Sequence, residues 1–211
     1  MSTTTEQRKR VDTSFMYAVH AAFERDLRRI GTHAAAGTDV AKVRAGWDRF
    51  KTYLHIHHTA EDTHLWPVLR GKLVGRPGDL GILEQMEIEH TGLTALLDAA
   101  DTEVIARGAT GRLAPRIEAL AANLTTHCRH EEELALPLVE ELLSTEEWNA
   151  FGNEQRRQVG FKGAGTFFPW LLDGADEEMR ARVLGVVPPP VRLLYRAVWK
   201  PRYMRGPRLE G

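Results

Sequence analysis

Cysteine is almost absent: Cys128 stands alone among 211 residues, which excludes an intrachain disulfide framework and fits a reducing compartment. No stretch reaches about eighteen uninterrupted apolar residues, so no membrane-spanning helix is expected. Neither sign of charge dominates. The formal net charge is −1 and the pI is near 6.8, leaving no global attraction to nucleic acid or to anionic surfaces. The opening MSTTTEQRKR is charged and polar, with no apolar run behind it, unlike a secretory signal; a cytoplasmic location is the expectation. Period-two alternation and Asn-Gly hairpin signals are missing as well, which argues against strands. What remains is ordinary globular composition, 43% hydrophobic and 27% charged, in a length that suggests one domain with an appendage.

Against this plain background one stretch repeats. Leu54 to Pro67 reads LHIHHTAEDTHLWP, and seventy residues later Leu124 to Pro137 reads LTTHCRHEEELALP. Leu54 falls on Leu124, His57 on His127, Glu61 on Glu131, Asp62 on Glu132 and Pro67 on Pro137. The same offset carries His20 onto His90, with Met16, Phe23 and Leu27 falling on Met86, Leu93 and Leu97. Each copy holds His-x-x-x-Glu, and helical residues four apart share a face, one turn apart. The pattern is a duplicated helix pair, each contributing His plus His-x-x-x-Glu.

Helical periodicity places these motifs. Met16, His20, Phe23, Leu27 and Ile30 form a stripe over residues 12–30, and Gly31 and Gly37, with the stretch between them, are expected to end that helix. Thr38 or Asp39 is the expected cap of a second helix, striped by Val43, Phe50, Leu54, His57, Glu61, Leu65 and Val68 and kinked or loosened by Pro67. A third spans about 79–107 and ends at Gly108 and Gly111. A fourth, about 112–143, has Leu113, Ile117, Leu120, Leu124, His127, Glu131, Leu134 and Leu138 in steps of three and four. Four such helices with short connections predict an all-α, up-down-up-down four-helix bundle over residues 12–143, with a C-terminal helical extension over 144–211. In that extension Ser144-Thr145-Glu146-Glu147 reads as a capping box opening a fifth helix toward Val159. An apolar, glycine-interrupted stretch follows, then a short helix at 176–184. Val191, Leu194, Tyr195 and Val198 then oppose Arg192, Arg196 and Lys200 on a short basic amphipathic helix.

Imidazoles and carboxylates in an apolar seam are costly unless paired or bound to metal. Core histidines satisfied by the glutamates are one reading. Six residues in twofold register favour metal, because neutral imidazole and carboxylate then become ligands. Four histidines and two glutamates exceed a closed tetrahedral zinc site. Two ions sharing both glutamates, with an oxo or hydroxo bridge and an open position, suit iron, with manganese the second choice.

The order His…His-x-x-x-Glu…His…His-x-x-x-Glu, running from about Asp12 to Leu143, resembles the haemerythrin-like (HHE cation-binding) family of non-haem di-iron four-helix bundles. The resemblance implies that His20, His57, His90 and His127 are iron ligands and that Glu61 and Glu131 are bridging carboxylates. Oxygen-carrying members have a further histidine where this chain has Met86, so the oxygen-carrier geometry is not expected. Tyr53, one turn before His57, is a candidate replacement ligand, against the alternative of a core tyrosine. His55, His58 and Asp62 are assigned to the solvated face of their helix, His33 to a loop, and His64 or His130 to the surroundings of the site. The expected chemistry is catalase- or peroxidase-like turnover of hydrogen peroxide, nitric oxide or oxygen, with an electron donor. The alternative is reversible oxygen or nitric oxide binding, or iron handling, without turnover. The extension is expected to cover an open end of the bundle, or to dock a membrane surface or a partner through its basic face.

Overall fold

The computed structural model describes residues 10–37, 39–105 and 112–210, and among these it contains helices and no strand. Helix α1 is Ser14–Ala35. Helix α2 covers residues 40–72 as Val40–Ala60, a π-turn Glu61–Leu65 and Trp66–Lys72. Helix α3 is Pro77–Ile105. Helix α4 covers residues 113–142 as Leu113–His130, a second π-turn Glu131–Ala135 and Leu136–Leu142. Each helix packs on its chain neighbours and α4 closes the ring against α1, giving the up-down-up-down bundle.

Gly31 does not end α1, which continues to Ala35; a Cβ added at Gly31 would meet Ile117 at an ordinary 3.4 Å. Gly37, with φ of 63°, makes the turn instead. His33 therefore sits in the last helical turn, its Nε2 3.1 Å from the Glu210 carbonyl oxygen. Asp39 precedes α2 in the left-handed region and pairs with Lys42 at 2.7 Å rather than capping the helix through its side chain. Thr38, Gly108 and Gly111 lie outside the described residues.

Pro67 and Pro137 do not break their helices. Proline has no N–H to donate and crowds the carbonyl four residues back, and the chain responds upstream with a π-turn. Trp66 donates its N–H to the Glu61 carbonyl and Leu136 donates to that of Glu131, each a five-residue step. The extra residue rotates the remainder of the helix. Leu134, expected in the seam, is 45% exposed, while Ala135, Leu136 and Val139 are fully buried.

The extension begins as expected, with Ser144 and Glu147 in a reciprocal capping box. Helix α5, Thr145–Leu171, then runs past Val159 and through the glycine-interrupted stretch, bending at Gly160 (φ 63°, ψ 168°). Helix α6 is Glu177–Gly185, capped by Asp176 accepting from the Met179 N–H at 2.7 Å. Helix α7 covers residues 189–204, again with a π-turn, Tyr195–Trp199, just before Pro201. Trp170, Leu171, Val183, Leu184, Tyr195 and Leu209 join the same apolar cluster as Phe23, Phe50 and Leu124. Trp170 donates its indole N–H to Asp26 at 2.7 Å, and Arg29 pairs with Asp173 at 2.8 Å. The extension is thus packed on the bundle through a shared core and a part-buried polar network. No helix among the described residues is long and apolar enough to cross a membrane.

Candidate metal centre

The buried apolar residues form two clusters rather than one. The first is built around Phe23, Phe50, Leu54, Leu93 and Leu124; the second holds Met16, Leu65, Trp66, Leu69, Leu83 and Met86. His20, His57, Glu61, His90, His127 and Glu131 belong to neither, yet none is more than 6% exposed. The pairs His57/Glu61 and His127/Glu131 sit where an α-helical segment passes into a π-turn.

The four imidazoles meet in two pairs. His20 Nε2 is 3.2 Å from His57 Nε2, and His90 Nε2 is 3.2 Å from His127 Nε2. The glutamates reach both pairs. Glu61 Oε1 lies 3.0 Å from His57 Nε2 and its Oε2 3.6 Å from His90 Nε2. Glu131 Oε2 lies 3.2 Å from His20 Nε2 and 3.8 Å from His127 Nε2. Despite these approaches, no oxygen of either glutamate takes an aligned hydrogen bond among the described residues. Buried carboxylate oxygens left in that state are costly. Neighbouring nitrogens on one ion with bonds of about 2.1 Å at right angles lie about 3 Å apart, close to the spacing of each imidazole pair.

The outer nitrogens are held in an exchanged arrangement. His20 Nδ1 pairs with Glu132 at 2.8 Å, and His90 Nδ1 with Asp62 at 2.8 Å. Each half thus supports the first histidine of the other, as the duplication requires. His127 Nδ1 meets Glu89 Oε2 at 3.0 Å, and the other oxygen of Glu89 meets His130 Nδ1 at 2.7 Å. Val19 occupies the position of Glu89 in the other half, and His57 Nδ1 is buried without a partner. Carboxylates on the far nitrogen fix tautomer and ring orientation of metal-binding histidines.

Electrostatics follow from this crowding. Burial, reinforced by His20, pushes His57 well below the ordinary imidazole value. Burial lowers His127 as well. Burial opposes a charge on His20 too, but Glu131 and Glu132 override it and raise that ring to about 9. Glu61 is pushed well above the carboxylate range by burial and by repulsion from Glu131. Glu131, against the effect of burial, is held low by His20 and its neighbours. Without a cation, protons balance the site: two carboxylates this close do not both ionise unless positive charge lies between them.

His58 is misplaced by the sequence reading. It is half-buried, not on the solvated face, and its ring stacks on His90 with centroids 4.0 Å apart and planes within 15°. Two groups could each hold a metal ion, with ligand atoms all within 4.8 Å: His20, His57, Glu61 and Glu131, and separately His58, His90 and His127. Asp62, assigned to the same solvated face, is exposed there, its side chain at 44%, and from that position it also supports His90. His55 is exposed, as expected. Tyr53 is buried on the same helix as His57. Its ring packs on Trp170 and Phe167 at 4.5 and 5.1 Å. Burial raises its phenol, with Arg49, Tyr203 and Asp26 as its charged or polar neighbours, in the layer between bundle and extension. His64 meets Thr63 at 2.7 Å, and His130 reaches the site through Glu89.

An antiparallel helical bundle with a buried layer of imidazole and carboxylate donors defines a cation-binding bundle protein. The family model described as "Hemerythrin HHE cation binding domain" matches residues 11–139, and the chain belongs to that family. No curated protein and no solved structure matches it.

Proposed function

We propose that the buried donors hold two non-haem iron ions joined by an oxo or hydroxo group, and that the centre reacts with hydrogen peroxide, nitric oxide or oxygen in catalase- or peroxidase-like redox chemistry. One observation supports this reading above the others: four imidazole nitrogens in two close pairs, flanked by two glutamates whose buried oxygens take no aligned hydrogen bond. His20 and His57 would hold one ion, His90 and His127 the other, with Glu61 and Glu131 shared. Nitrogen and carboxylate donors without thiolate favour iron over a structural zinc. Bound iron supplies Lewis acidity and one-electron redox change.

The chain's own groups select and orient. None of the six donor residues is more than 6% exposed, so only small molecules fit beside them. Glu132, Asp62 and Glu89 accept the Nδ1–H protons of His20, His90 and His127, keeping each Nε2 directed inward. The Glu89–His130 contact leads from the buried His127 to a ring that is 32% exposed, a route by which a proton can leave. Peroxide disproportionation needs no other reductant, because one peroxide is oxidised to oxygen while another is reduced to water; peroxidase-like turnover would instead draw its electrons from an external donor.

The test is oxygen release from added peroxide by the iron-loaded chain. Turnover that disappears in Glu61→Ala supports the reading. Reversible uptake of oxygen or nitric oxide with peroxide left unconsumed assigns a binding or sensing role instead.

A further inference from the structure

Resting on the two-ion reading above, we propose that His58 is a metal ligand, completing a three-histidine subsite with His90 and His127 and making the two ion positions unequal. Its Nε2 is buried and, among the described residues, takes no hydrogen bond, although a neutral imidazole carries one donor and one acceptor nitrogen. That atom belongs to a side chain grouped with His90 and His127, with ligand atoms within 4.8 Å. The ring lies edge-on to His127, with centroids 5.3 Å apart, and flat against His90 at 4.0 Å. A histidine serving only as core filler would satisfy its ring nitrogens or leave them at the surface. His58 does neither at Nε2.

The internal repeat explains why only one half gains this ligand. His58 corresponds to Cys128, and the exchange of Asp62 and Glu132 between halves shows that equivalent positions serve opposite subsites. By that correspondence the position serving the His20 side falls to Cys128, whose side chain ends one atom past Cβ, too short to copy the reach of an imidazole. Cys128 is buried and forms no part of the group around His20. One ion would have three histidine nitrogens, the other two, and the less encumbered ion keeps more room for an exogenous ligand. The further histidine comes from the residue after His57 on α2, not from Met86 on α3.

The test counts coordinated imidazoles directly. The full-length metal-free chain is loaded with Co2+ alone, and its paramagnetically shifted, solvent-exchangeable ring N–H proton resonances are recorded. One such signal is expected for each of His20, His57, His58, His90 and His127. His58→Gln should lose one signal and keep the others, with affinity for one of the two Co2+ ions falling more than about 100-fold, beyond the range of an outer-sphere partner. A wild-type spectrum with only four signals overturns the proposal while leaving the two-ion centre intact. So does a His58→Gln spectrum that loses none. If the wild type binds no Co2+ and shows no shifted signal, the metal centre itself falls, and His58 with it. The wild-type count decides even if the variant fails to fold.

Discussion

Glu132 and Asp62 do for the two halves of the site what neither half does for itself. Each carboxylate fixes the far nitrogen of the opposite half's first histidine. Replacing either by its amide, Glu132→Gln or Asp62→Asn, should weaken metal binding about 10–100-fold, as read by titration of the metal-free chain. His20 adds a pH dependence of known sign. In the metal-free chain its value rises from 6.5 to about 9, so its stabilising contribution is complete below about 6.5 and lost as pH climbs through about 9. Metal uptake runs the other way, because the ion must displace the protons of His20 and Glu61. Apparent metal affinity should therefore rise with pH toward about 9, with proton release measurable by calorimetry in two buffers. At this scale the six paired donors were legible because the repeat marks them twice. His58 was not. It is one residue from His57, rotated about 100° around the helix, and a single-stripe reading assigns that flank to solvent. In a bundle that flank meets the neighbouring helix, here at His90.

Proline explains most of what differs between helices as patterns and helices as built. All three π-turns among the described residues, at Glu61–Leu65, Glu131–Ala135 and Tyr195–Trp199, come just before a proline. Periodicity places Leu134 in the seam because it counts 3.6 residues per turn throughout; the inserted residue moves burial to Ala135 and Leu136. The same limit hid the second half of α5. Glycines that suggest a break are absorbed by one bend at Gly160, whose φ of 63° and ψ of 168° fall in a region almost reserved for glycine. Apart from the adjoining backbone, nothing among the described residues lies within 4 Å of a Cβ built there, so Gly160→Ala isolates backbone strain from packing. It should lower unfolding free energy by about 1–3 kcal/mol, checked by urea denaturation.

At the scale of the whole molecule, the extension shares a core with the bundle. Trp170 is fully buried, packs against Phe23 at 5.4 Å, and through Phe23 backs His57, whose ring centroid is 5.5 Å from it. Trp170→Ala should cost about 3–5 kcal/mol, and the loss of the donor to Asp26 Oδ2, whose other oxygen stays paired with Arg25, adds to it. Ending the chain after Leu143 exposes the bundle face that Trp170, Leu171 and Tyr195 cover. The truncated chain should be poorly soluble and hold less metal than the full chain; a soluble truncation with full metal content would show the extension to be dispensable for the bundle. Composition and periodicity made this part legible as helical, whereas its packing depended on pairings such as Trp170 with Asp26, 144 positions apart, which local patterns do not carry.

Metal analysis of the purified chain together with its optical spectrum tests the central claim most directly. The account predicts about two irons per chain, from donor sets of nitrogen and carboxylate, and an oxo-to-iron charge-transfer band that Glu61→Ala abolishes. A single zinc per chain with no visible absorption would contradict it.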